Sequence, residues 1–208
     1  MKVLIATEKP FAAVAVDGMR KVIEEAGAEL ALLEKYTSRQ ELLDAVATAD
    51  ALIIRSDKVD AEVLAAAPSL KVVVRAGAGY DNVDLEAATR HGVQVCNVPD
   101  YGTSEVANHA LAMMLAITRK ICQANEQVRE GRWTYREMVP IQHLSNMTIG
   151  VIGLGRIGLA FAKRVHALGC KVIGFDIFTE HLKGDPESSF IELTSEDDVI
   201  ERADLLSL

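Results

Sequence analysis

Residues 148–176 read TIGVIGLGRIGLAFAKRVHALGCKVIGFD, and the pattern of this stretch decides the fold. An apolar run, a glycine turn and a helical segment without proline follow one another, which predicts a strand at Thr148–Ile152, a helix at Arg156–Leu168 and a second strand at Lys171–Phe175. The turn has the spacing G-x-G-x-x-G, and Asp176 stands at the tip of the second strand. This context indicates the first β-α-β unit of a dinucleotide-binding Rossmann domain.

The residues of the glycine turn each have a predicted role in holding a dinucleotide. Gly153 permits the tight turn, Gly155 lets the backbone approach a pyrophosphate, and Gly158 lets the helix pack closely against the strand. Arg156 and Ile157 open the helix, whose first amide groups carry partial positive charge and suit phosphate oxygens. We therefore expect these five residues to bind the cofactor.

The acid at the end of the second strand selects the cofactor. Asp176 stands where such motifs place the residue that accepts hydrogen bonds from the adenosine ribose hydroxyls, and its charge would repel a 2′-phosphate. No arginine follows it closely, which favours NAD over NADP. The alternative is a flavodoxin-like module with a purely structural β-α-β unit, in which Asp176 is exposed to solvent and no NAD binds.

The first hundred residues alternate short apolar runs with helical stretches, as a parallel sheet with helices on both faces requires. Capping signals mark the start of two helices, at Ser38 with Glu41 and at Asp60. The predicted strands are Lys2–Ala6, Leu30–Leu33, Ala51–Ile54, Leu70–Val74 and Val93–Cys96. Five such strands predict an α/β fold with a flavodoxin-like domain at residues 1–100.

The second domain is predicted at residues 101–208 and begins with a long helix. The stretch from about residue 104 to residue 130 contains neither glycine nor proline, so it predicts one continuous helix that connects the domains. An irregular arm that lies on a surface is predicted at residues 131–146. Its single tryptophan, Trp133, suggests burial, with another subunit as one candidate surface.

The Rossmann unit is predicted at residues 147–208 and ends in a strand at Asp204–Leu208, which we expect to be its third. A complete Rossmann sheet has the strand order 3-2-1-4-5-6. Only the 3-2-1 half is therefore expected, and the first strand would keep an open edge where the fourth strand belongs. Such an edge invites association.

Composition and charge exclude several classes of function. The chain of 208 residues carries a net charge of −8, so a nucleic-acid partner would be repelled. No apolar run approaches the ~20 residues of a membrane helix, and the N-terminal run Val3–Ala6 is too short for a signal peptide, so a cytoplasmic protein is expected. The cysteines, Cys96, Cys122 and Cys170, are too far apart for a disulfide or a zinc site. We expect no metal, and expect each cysteine to pack as a small apolar residue.

A second glycine turn, Gly77-Ala78-Gly79, follows the fourth predicted strand. Glycines at alternate positions expose successive amide groups, and such an arrangement suits a carboxylate. Arg75 directly precedes the turn, and Arg55 ends the third strand at the same edge of the sheet. Two guanidinium groups beside exposed amides predict a site for a small anion. The alternative is an ordinary tight turn with two surface arginines.

Taken together, these motifs make the chain similar to the D-isomer-specific 2-hydroxyacid dehydrogenases, and within them to the D-3-phosphoglycerate dehydrogenases and the C-terminal-binding-protein-like group. The resemblance extends over essentially all of the chain. It is carried by Ile54–Ser56, Arg75–Asp84, Asn97–Pro99, Thr103–His109 and the fingerprint at residues 150–158.

The resemblance implies an NAD-dependent oxidoreductase that interconverts a small anionic D-2-hydroxy acid and its 2-oxo acid. It implies that the first domain binds the substrate, that the second binds the cofactor, and that the active site lies in the cleft between them. Gly77, Ala78 and Gly79 would meet the substrate carboxylate, and Ala78 would also lie near the nicotinamide. The family further implies a homodimer, which we expect to form through residues of about 104–146.

The resemblance also implies what this chain lacks. Family members use an Arg, and a His held by a Glu, which lie beyond the strand that ends here at Leu208. We therefore expect no catalytic residue within the chain, and expect it to be a C-terminally truncated dehydrogenase that is inactive alone. His109 and His166 are interpreted as helix-face residues. The alternative function is that of an NAD-sensing binding protein of the corepressor type, with the same fold.

Overall fold

The computed structural model describes the backbone of all 208 residues and every side chain except that of Tyr135. The chain forms two units, Met1–Tyr101 and Gly102–Leu208. Each unit contains a parallel sheet and its own apolar core. None of the described helices is long and apolar enough to cross a bilayer.

The first unit is a five-stranded parallel sheet with the order β2-β1-β3-β4-β5. Its strands are β1 (Lys2–Thr7), β2 (Glu29–Glu34), β3 (Ala51–Ile54), β4 (Val72–Arg75) and β5 (Gln94–Cys96), and its helices are α1 (Ala13–Glu25), α2 (Arg39–Val46), α3 (Ala61–Ala65) and α4 (Leu85–Arg90). This is the doubly wound order of flavodoxin-like folds, which confirms the predicted class.

The crossover direction explains where the core of this unit sits. Right-handed connections place α1 on one face of the sheet and α2, α3 and α4 on the other, because the order reverses after β2. The larger cluster of buried side chains joins the sheet to these three helices. Its members include Leu4, Leu42, Val46, Leu52, Val63, Leu64, Val73 and Ala87.

The helix starts follow local capping chemistry. Ser38 and Glu41 form the predicted capping box, and the Asp60 side chain accepts from the Val63 amide as expected. The sequence patterns did not indicate α1 or the cap of α4, where Asp84 accepts from the Ala87 amide. These caps each satisfy an amide that has no partner within the helix.

The second unit is a four-stranded parallel sheet with the order β8-β7-β6-β9. Its strands are β6 (Thr148–Ile152), β7 (Lys171–Phe175), β8 (Ile191–Leu193) and β9 (Leu205–Ser207), and its helices are α5 (Thr103–Thr118), α6 (Ile121–Arg129), α7 (Arg156–Ala167) and α8 (Glu196–Arg202). Short 3-10 turns lie at Tyr135–Met138, Leu144–Asn146 and Glu180–Leu182. The first β-α-β unit is confirmed, and β6 and β7 have their predicted bounds.

Two expectations about this sheet were wrong. The third strand is β8, which was not predicted because it has only three residues and only Ile191 is buried. The last strand, β9, pairs with β6 and is therefore the fourth, so β6 has no open edge. The Asp204 carboxylate accepts from the Thr148 amide at 2.8 Å and fixes this pairing. Gly150 lets α8 approach, since a Cβ there would lie 2.8 Å from Val199 Cγ1.

The predicted single helix over about residues 104–130 is also wrong, because it is divided into α5 and α6. Lys120 adopts the left-handed conformation, with φ of 53°, between the two helices. The Thr118 hydroxyl donates to the Met114 carbonyl at 2.9 Å, a bond that competes with helix continuation. Gly131, with φ of 74°, follows the end of α6.

The tryptophan of the arm after α6 lies at the surface of the single chain. Trp133 is 85% exposed there, so its burial would require a second subunit. Gln127 of α6 is buried and donates to the Glu137 carboxylate at 2.7 Å, which ties the arm to the helix. Cys96 and Cys122 are likewise exposed, against expectation, whereas Cys170 is buried and its burial raises the pKa of the thiol.

Candidate functional site

The glycine turn of the second unit is built so that α7 packs directly on the end of β6. Gly153 has φ of 91°, in the region that favours glycine, and its amide donates to the Phe175 carbonyl at 2.8 Å. A Cβ on Gly158 would lie 1.8 Å from the Gly153 carbonyl oxygen, so no larger residue fits there. Around Gly155, by contrast, a Cβ would meet no atom within 4 Å. The turn is closed towards the sheet and open on its other side.

The open side coincides with the N-terminus of α7. Gly155 is the N-cap, and within the described part of the chain no side chain caps this helix or places an acid in its first turn. The first amide groups of a helix have no acceptor in the helix itself, and they attract anions. Arg156 and Ile157 are exposed at this end. The arrangement fits the diphosphate of a dinucleotide.

Asp176 lies against the same turn. One of its carboxylate oxygens accepts from the Leu154 amide at 2.6 Å, and the other accepts from the Phe178 amide at 2.7 Å. The side chain is half-buried, at the carboxyl end of β7. Two amide donors hold the carboxylate in one place beside the glycine turn, where a ribose hydroxyl could reach it.

His181 is a contact that sequence reasoning missed. Its Nε2 lies 3.0 Å from the Leu154 carbonyl oxygen. Because a carbonyl can only accept, Nε2 must carry the proton in this bond. Leu154 is fully buried, and both of its backbone polar groups bond to the segment after β7, the amide to Asp176 and the carbonyl to His181. No spacing in the sequence signals this contact, which depends on how the segment after β7 folds back.

The predicted anion site of the first unit lies where β3 and β4 end side by side. Ile54 and Arg75 are register partners, so Arg55 and the Gly77 turn share one edge of the sheet. The Gly77 amide donates to the Arg75 carbonyl at 2.8 Å and is therefore used within the turn. Among the described residues, the amides of Ala78 and Gly79 have no acceptor.

The Arg75 side chain covers this turn. A Cβ on Gly77 would lie 1.6 Å from Arg75 Nη1, so the guanidinium occupies the space that a side chain at residue 77 would need. Arg75 Nε is buried and has no hydrogen-bond partner in the described chain. A buried cationic donor without an acceptor is costly. The structure thus leaves one cationic donor beside this turn without an acceptor.

Arg55 is held by a buried carboxylate that the sequence patterns did not single out. The Asp57 side chain accepts from the Arg55 amide at 3.2 Å, from the Glu8 amide at 2.7 Å and from the Tyr36 hydroxyl at 2.8 Å. Burial, and then the hydrogen bond to Asp57, raise the pKa of Tyr36 above its usual range. The guanidinium carbon of Arg55 lies 6.0 Å from the centre of the Phe11 ring.

The remaining titratable groups were compared with the requirements of a metal site and of a histidine–acid pair. No group of three or more metal-ligating side chains occurs among the described residues. His166 stacks on Phe190 with 4.2 Å between ring centres. In the described part of the chain no histidine forms an ion pair with a carboxylate. A histidine–acid pair for proton exchange is thus not assembled from these residues.

Comparison with known proteins relates this architecture to enzymes. The profile of the family described as D-isomer specific 2-hydroxyacid dehydrogenase, catalytic domain, matches residues 11–201. The D-3-phosphoglycerate dehydrogenase of Archaeoglobus fulgidus is 41% identical over 209 residues, which cover 100% of this chain and 38% of that protein. The chain therefore spans well under half the length of this curated relative.

Two solved structures have the same fold. The 3-phosphoglycerate dehydrogenase of Entamoeba histolytica with bound NAD⁺ has a TM-score of 0.74 and 30% identity, covering 100% of this chain and 62% of that one. The D-lactate dehydrogenase of Aquifex aeolicus, complexed with NAD and lactic acid, has a TM-score of 0.84 and 25% identity, covering 99% and 60%. Because the family profile matches most of the length of this chain, the chain belongs to the D-isomer specific 2-hydroxyacid dehydrogenase family.

Proposed function

We propose that this chain supplies the cofactor turn and the substrate-anion site of an NAD-dependent dehydrogenase that acts on a small D-2-hydroxy acid. Family membership supports the reaction class, and the relatives named above are described as phosphoglycerate and lactate dehydrogenases. Bound NAD would supply the hydride acceptor at its nicotinamide ring. The chain's own residues bind and orient the two ligands.

The observation that carries the proposal is the junction of Asp176 with the glycine turn. Gly158 packs against the Gly153 carbonyl, while Asp176 is hydrogen-bonded to Leu154 in the same turn. A diphosphate would lie on the amides at the start of α7, and the carboxylate of Asp176 would accept from the adenosine ribose. The same carboxylate would repel the 2′-phosphate of NADP.

The substrate part of the proposal rests on the first unit. Arg75, with its unpartnered buried Nε, and the amides of Ala78 and Gly79 would hold the carboxylate of the hydroxy acid. Arg55 at the same sheet edge would favour a second anionic group. A phosphorylated hydroxy acid such as 3-phosphoglycerate has both groups. That Ala78 also lies near the nicotinamide remains a prediction. A contact of the Gly77 amide with the substrate carboxylate also remains a prediction.

The proposal predicts that the isolated chain binds the cofactor but does not catalyse the reaction. Because no described histidine forms an ion pair with an acid, the isolated chain should bind NADH without reducing 2-oxo acids. The test is a fluorescence titration of the 208-residue chain with NADH and NADPH, followed by a turnover assay with pyruvate and 3-phosphohydroxypyruvate. Failure to bind NADH would refute the cofactor assignment, and measurable turnover would refute the claim that the chain is inactive alone. If NADH binding changes the oligomeric state of the chain in light scattering and no turnover is found, the corepressor-type alternative is favoured.

We further propose that the chain forms a homodimer through residues of about 104–146 and works in the cytoplasm. The exposed faces of α5 and α6 and the arm carry large apolar side chains that water does not favour. They are Val106, Met113, Ile117, Ile121, Val128 and Trp133. Light scattering should give the mass of a dimer, and Ile117→Glu, at a position 69% exposed, should give a monomer. A monomeric unsubstituted chain would refute this contact.

A further inference from the structure

The segment that follows β5 holds the carbonyl groups of the Gly77 turn. The Val98 amide donates to the Gly77 carbonyl at 3.0 Å. The Asn97 side-chain amide, through Nδ2, donates to the Ala78 carbonyl at 2.7 Å. Two successive carbonyl oxygens of the turn are therefore held by neighbouring residues of another segment.

Holding a carbonyl also orients the next amide. A peptide group is planar and trans, so its C=O and the N–H of the following residue point in opposite directions within one rigid plane. The bond from Val98 therefore sets the direction of the Ala78 N–H. The bond from Asn97 sets the direction of the Gly79 N–H. These are the two amides of the turn that have no acceptor among the described residues.

We propose that Asn97 is a positioning residue for the substrate carboxylate, which it serves by donating to the Ala78 carbonyl and aiming the Gly79 amide outward. The proposal rests on the proposed function, since it takes Ala78 and Gly79 as the carboxylate site. The Val98 bond is made by backbone and persists whatever the side chain. The orientation of the Gly79 peptide depends on the residue at position 97.

The chemistry of the side chain supports this role. The Ala78 carbonyl needs a donor, and the carboxamide of Asn97 provides one without adding charge. An aspartate of the same shape could only accept. It would face the Ala78 carbonyl with a like partial charge and would add a negative charge close to a site for an anion. Asn97→Asp should therefore be more harmful than Asn97→Ala, although it changes the side-chain volume least.

Gly79 has little packing of its own to fix its orientation, so the bond from Asn97 matters. A Cβ on Gly79 would meet only Asp81 Oδ1, at 3.1 Å, so packing restrains this residue weakly. Without the bond from Asn97 the peptide between Ala78 and Gly79 can rotate, and its amide loses its fixed direction. Pre-orientation of a donor raises affinity because the ordering cost is met before the ligand binds.

The experiment is an NMR titration of the ¹⁵N-labelled 208-residue chain with pyruvate, a 2-oxo monocarboxylate. In the unsubstituted chain, the amide signals of Ala78 and Gly79 should shift with pyruvate. In Asn97→Ala the dissociation constant should rise about tenfold, as expected for one lost hydrogen bond. The shift of Gly79 should shrink while that of Ala78 persists. Asn97→Asp should weaken binding further, and Asn97→Gln, which keeps an amide donor, should restore part of the affinity.

Two controls separate a local effect from general loss of structure. Thr89→Val removes another side-chain bond to a carbonyl, that of Thr89 to Leu85 at 2.8 Å on α4, and should leave pyruvate binding unchanged. ADP binding, read on the amides of Gly155 and Ile157, should be the same in every variant. If Asn97→Ala unfolds, the isosteric Asn97→Asp carries the test by itself.

The outcomes distinguish this proposal from the proposed function. Absence of any response at Ala78 and Gly79 in the unsubstituted chain would overturn the carboxylate site, and the role of Asn97 with it. A pyruvate response that survives unchanged in Asn97→Ala and Asn97→Asp would overturn only the role of Asn97. Equal weakening in Thr89→Val would likewise assign the effect to stability and remove Asn97 from the site.

Discussion

The guanidinium group of Arg75 occupies the space that a side chain on Gly77 would need, since a Cβ there would lie 1.6 Å from Arg75 Nη1. Gly77 is not among the glycines with positive φ, so a left-handed backbone does not explain its presence. The glycine leaves room for the arginine. The relationship links the identity of one residue in the turn to the position of the charge that would receive an anion.

The first prediction concerns Gly77→Ala. The new methyl group should displace the Arg75 guanidinium, which is the flexible end of a long side chain, so the fold should survive with a stability change below about 1 kcal/mol. Affinity for pyruvate should fall at least about tenfold, because a charge-assisted hydrogen bond is lost. The measurements are urea denaturation and the NMR titration.

A matched control for this variant is Gly18→Ala in α1, where a Cβ meets no atom within 4 Å. It should stabilise the helix by up to about 1 kcal/mol and leave pyruvate affinity unchanged. Retention of full pyruvate affinity by Gly77→Ala would show that the position of Arg75 does not matter for the anion.

The second prediction contrasts two glycines of the cofactor turn. Gly158→Ala puts a methyl group 1.8 Å from the Gly153 carbonyl, which is backbone and cannot yield cheaply, so the second unit should lose several kcal/mol of stability. Gly155→Ala has open space and should keep the stability of the parent chain. It should still lose NADH affinity, because its methyl group faces the proposed diphosphate.

Thermal unfolding and NADH titration of both variants provide the measurements. In Gly158→Ala we expect both stability and NADH affinity to fall. In Gly155→Ala we expect NADH affinity to fall while stability stays unchanged. If Gly155→Ala binds NADH as tightly as the unsubstituted chain, the diphosphate does not lie against this residue.

The third prediction concerns Asp176. Asp176→Ala leaves the buried Leu154 amide without its acceptor, which should cost about 1–3 kcal/mol of stability, and NADH affinity should fall at least about tenfold. Asp176→Asn keeps an acceptor oxygen for one of the two amides, of Leu154 and Phe178, and removes the charge. The affinity for NADPH should therefore rise relative to the affinity for NADH. Asp185→Asn is the control, because Asp185 also accepts a backbone amide, that of Glu187, but in an exposed turn. An unchanged NADPH-to-NADH ratio in Asp176→Asn would contradict the assigned selectivity.

The fourth prediction is a pH dependence from Tyr36 and Asp57. Burial and the hydrogen bond to Asp57 raise the pKa of Tyr36 in the folded chain above its ordinary value of about 10. The folded chain therefore keeps this proton at a pH where the unfolded chain loses it. The stability that the pair contributes is complete below about pH 10 and is lost as the pH rises towards the folded-state pKa.

The comparison that isolates this effect is Tyr36→Phe against Tyr101→Phe, since Tyr101 is exposed. Urea denaturation should find Tyr36→Phe less stable than the parent by about 1 kcal/mol at pH 8, with a smaller difference at pH 11. A difference that stays constant over this range would mean that Tyr36 ionises alike in both states.

The first β-α-β unit shows which structural features a local sequence pattern can predict. The bounds of β6 and β7 and the place of Gly153, Gly158 and Asp176 follow from an apolar run, a glycine spacing and a strand end, which are properties of neighbouring residues. The five strands of the first unit were identified for the same reason, and their number and right-handed connections were enough for the doubly wound class.

The errors arise where pairing over distance decides the outcome. Residues 205–207 read as a strand, but only the crossing of α8 placed that strand beside β6 rather than beyond β7. The break at Lys120 depends on one residue with φ of 53°, which an uninterrupted helical pattern conceals.

By itself, the sequence determined the α/β class, the glycine turn, the acid that would select NAD, and the two arginines beside a second turn, because these depend on residue type and short spacing. Only the tertiary structure decided the order of the last two strands and the contacts of Asp57 with Glu8, of Asn97 with Ala78 and of His181 with Leu154. Each of these side chains bonds a backbone group that lies far away in the sequence. No local pattern predicts which distant segments come together. The residues that would contact a ligand can be predicted from the sequence, whereas the residues that position them can be identified only from the folded structure.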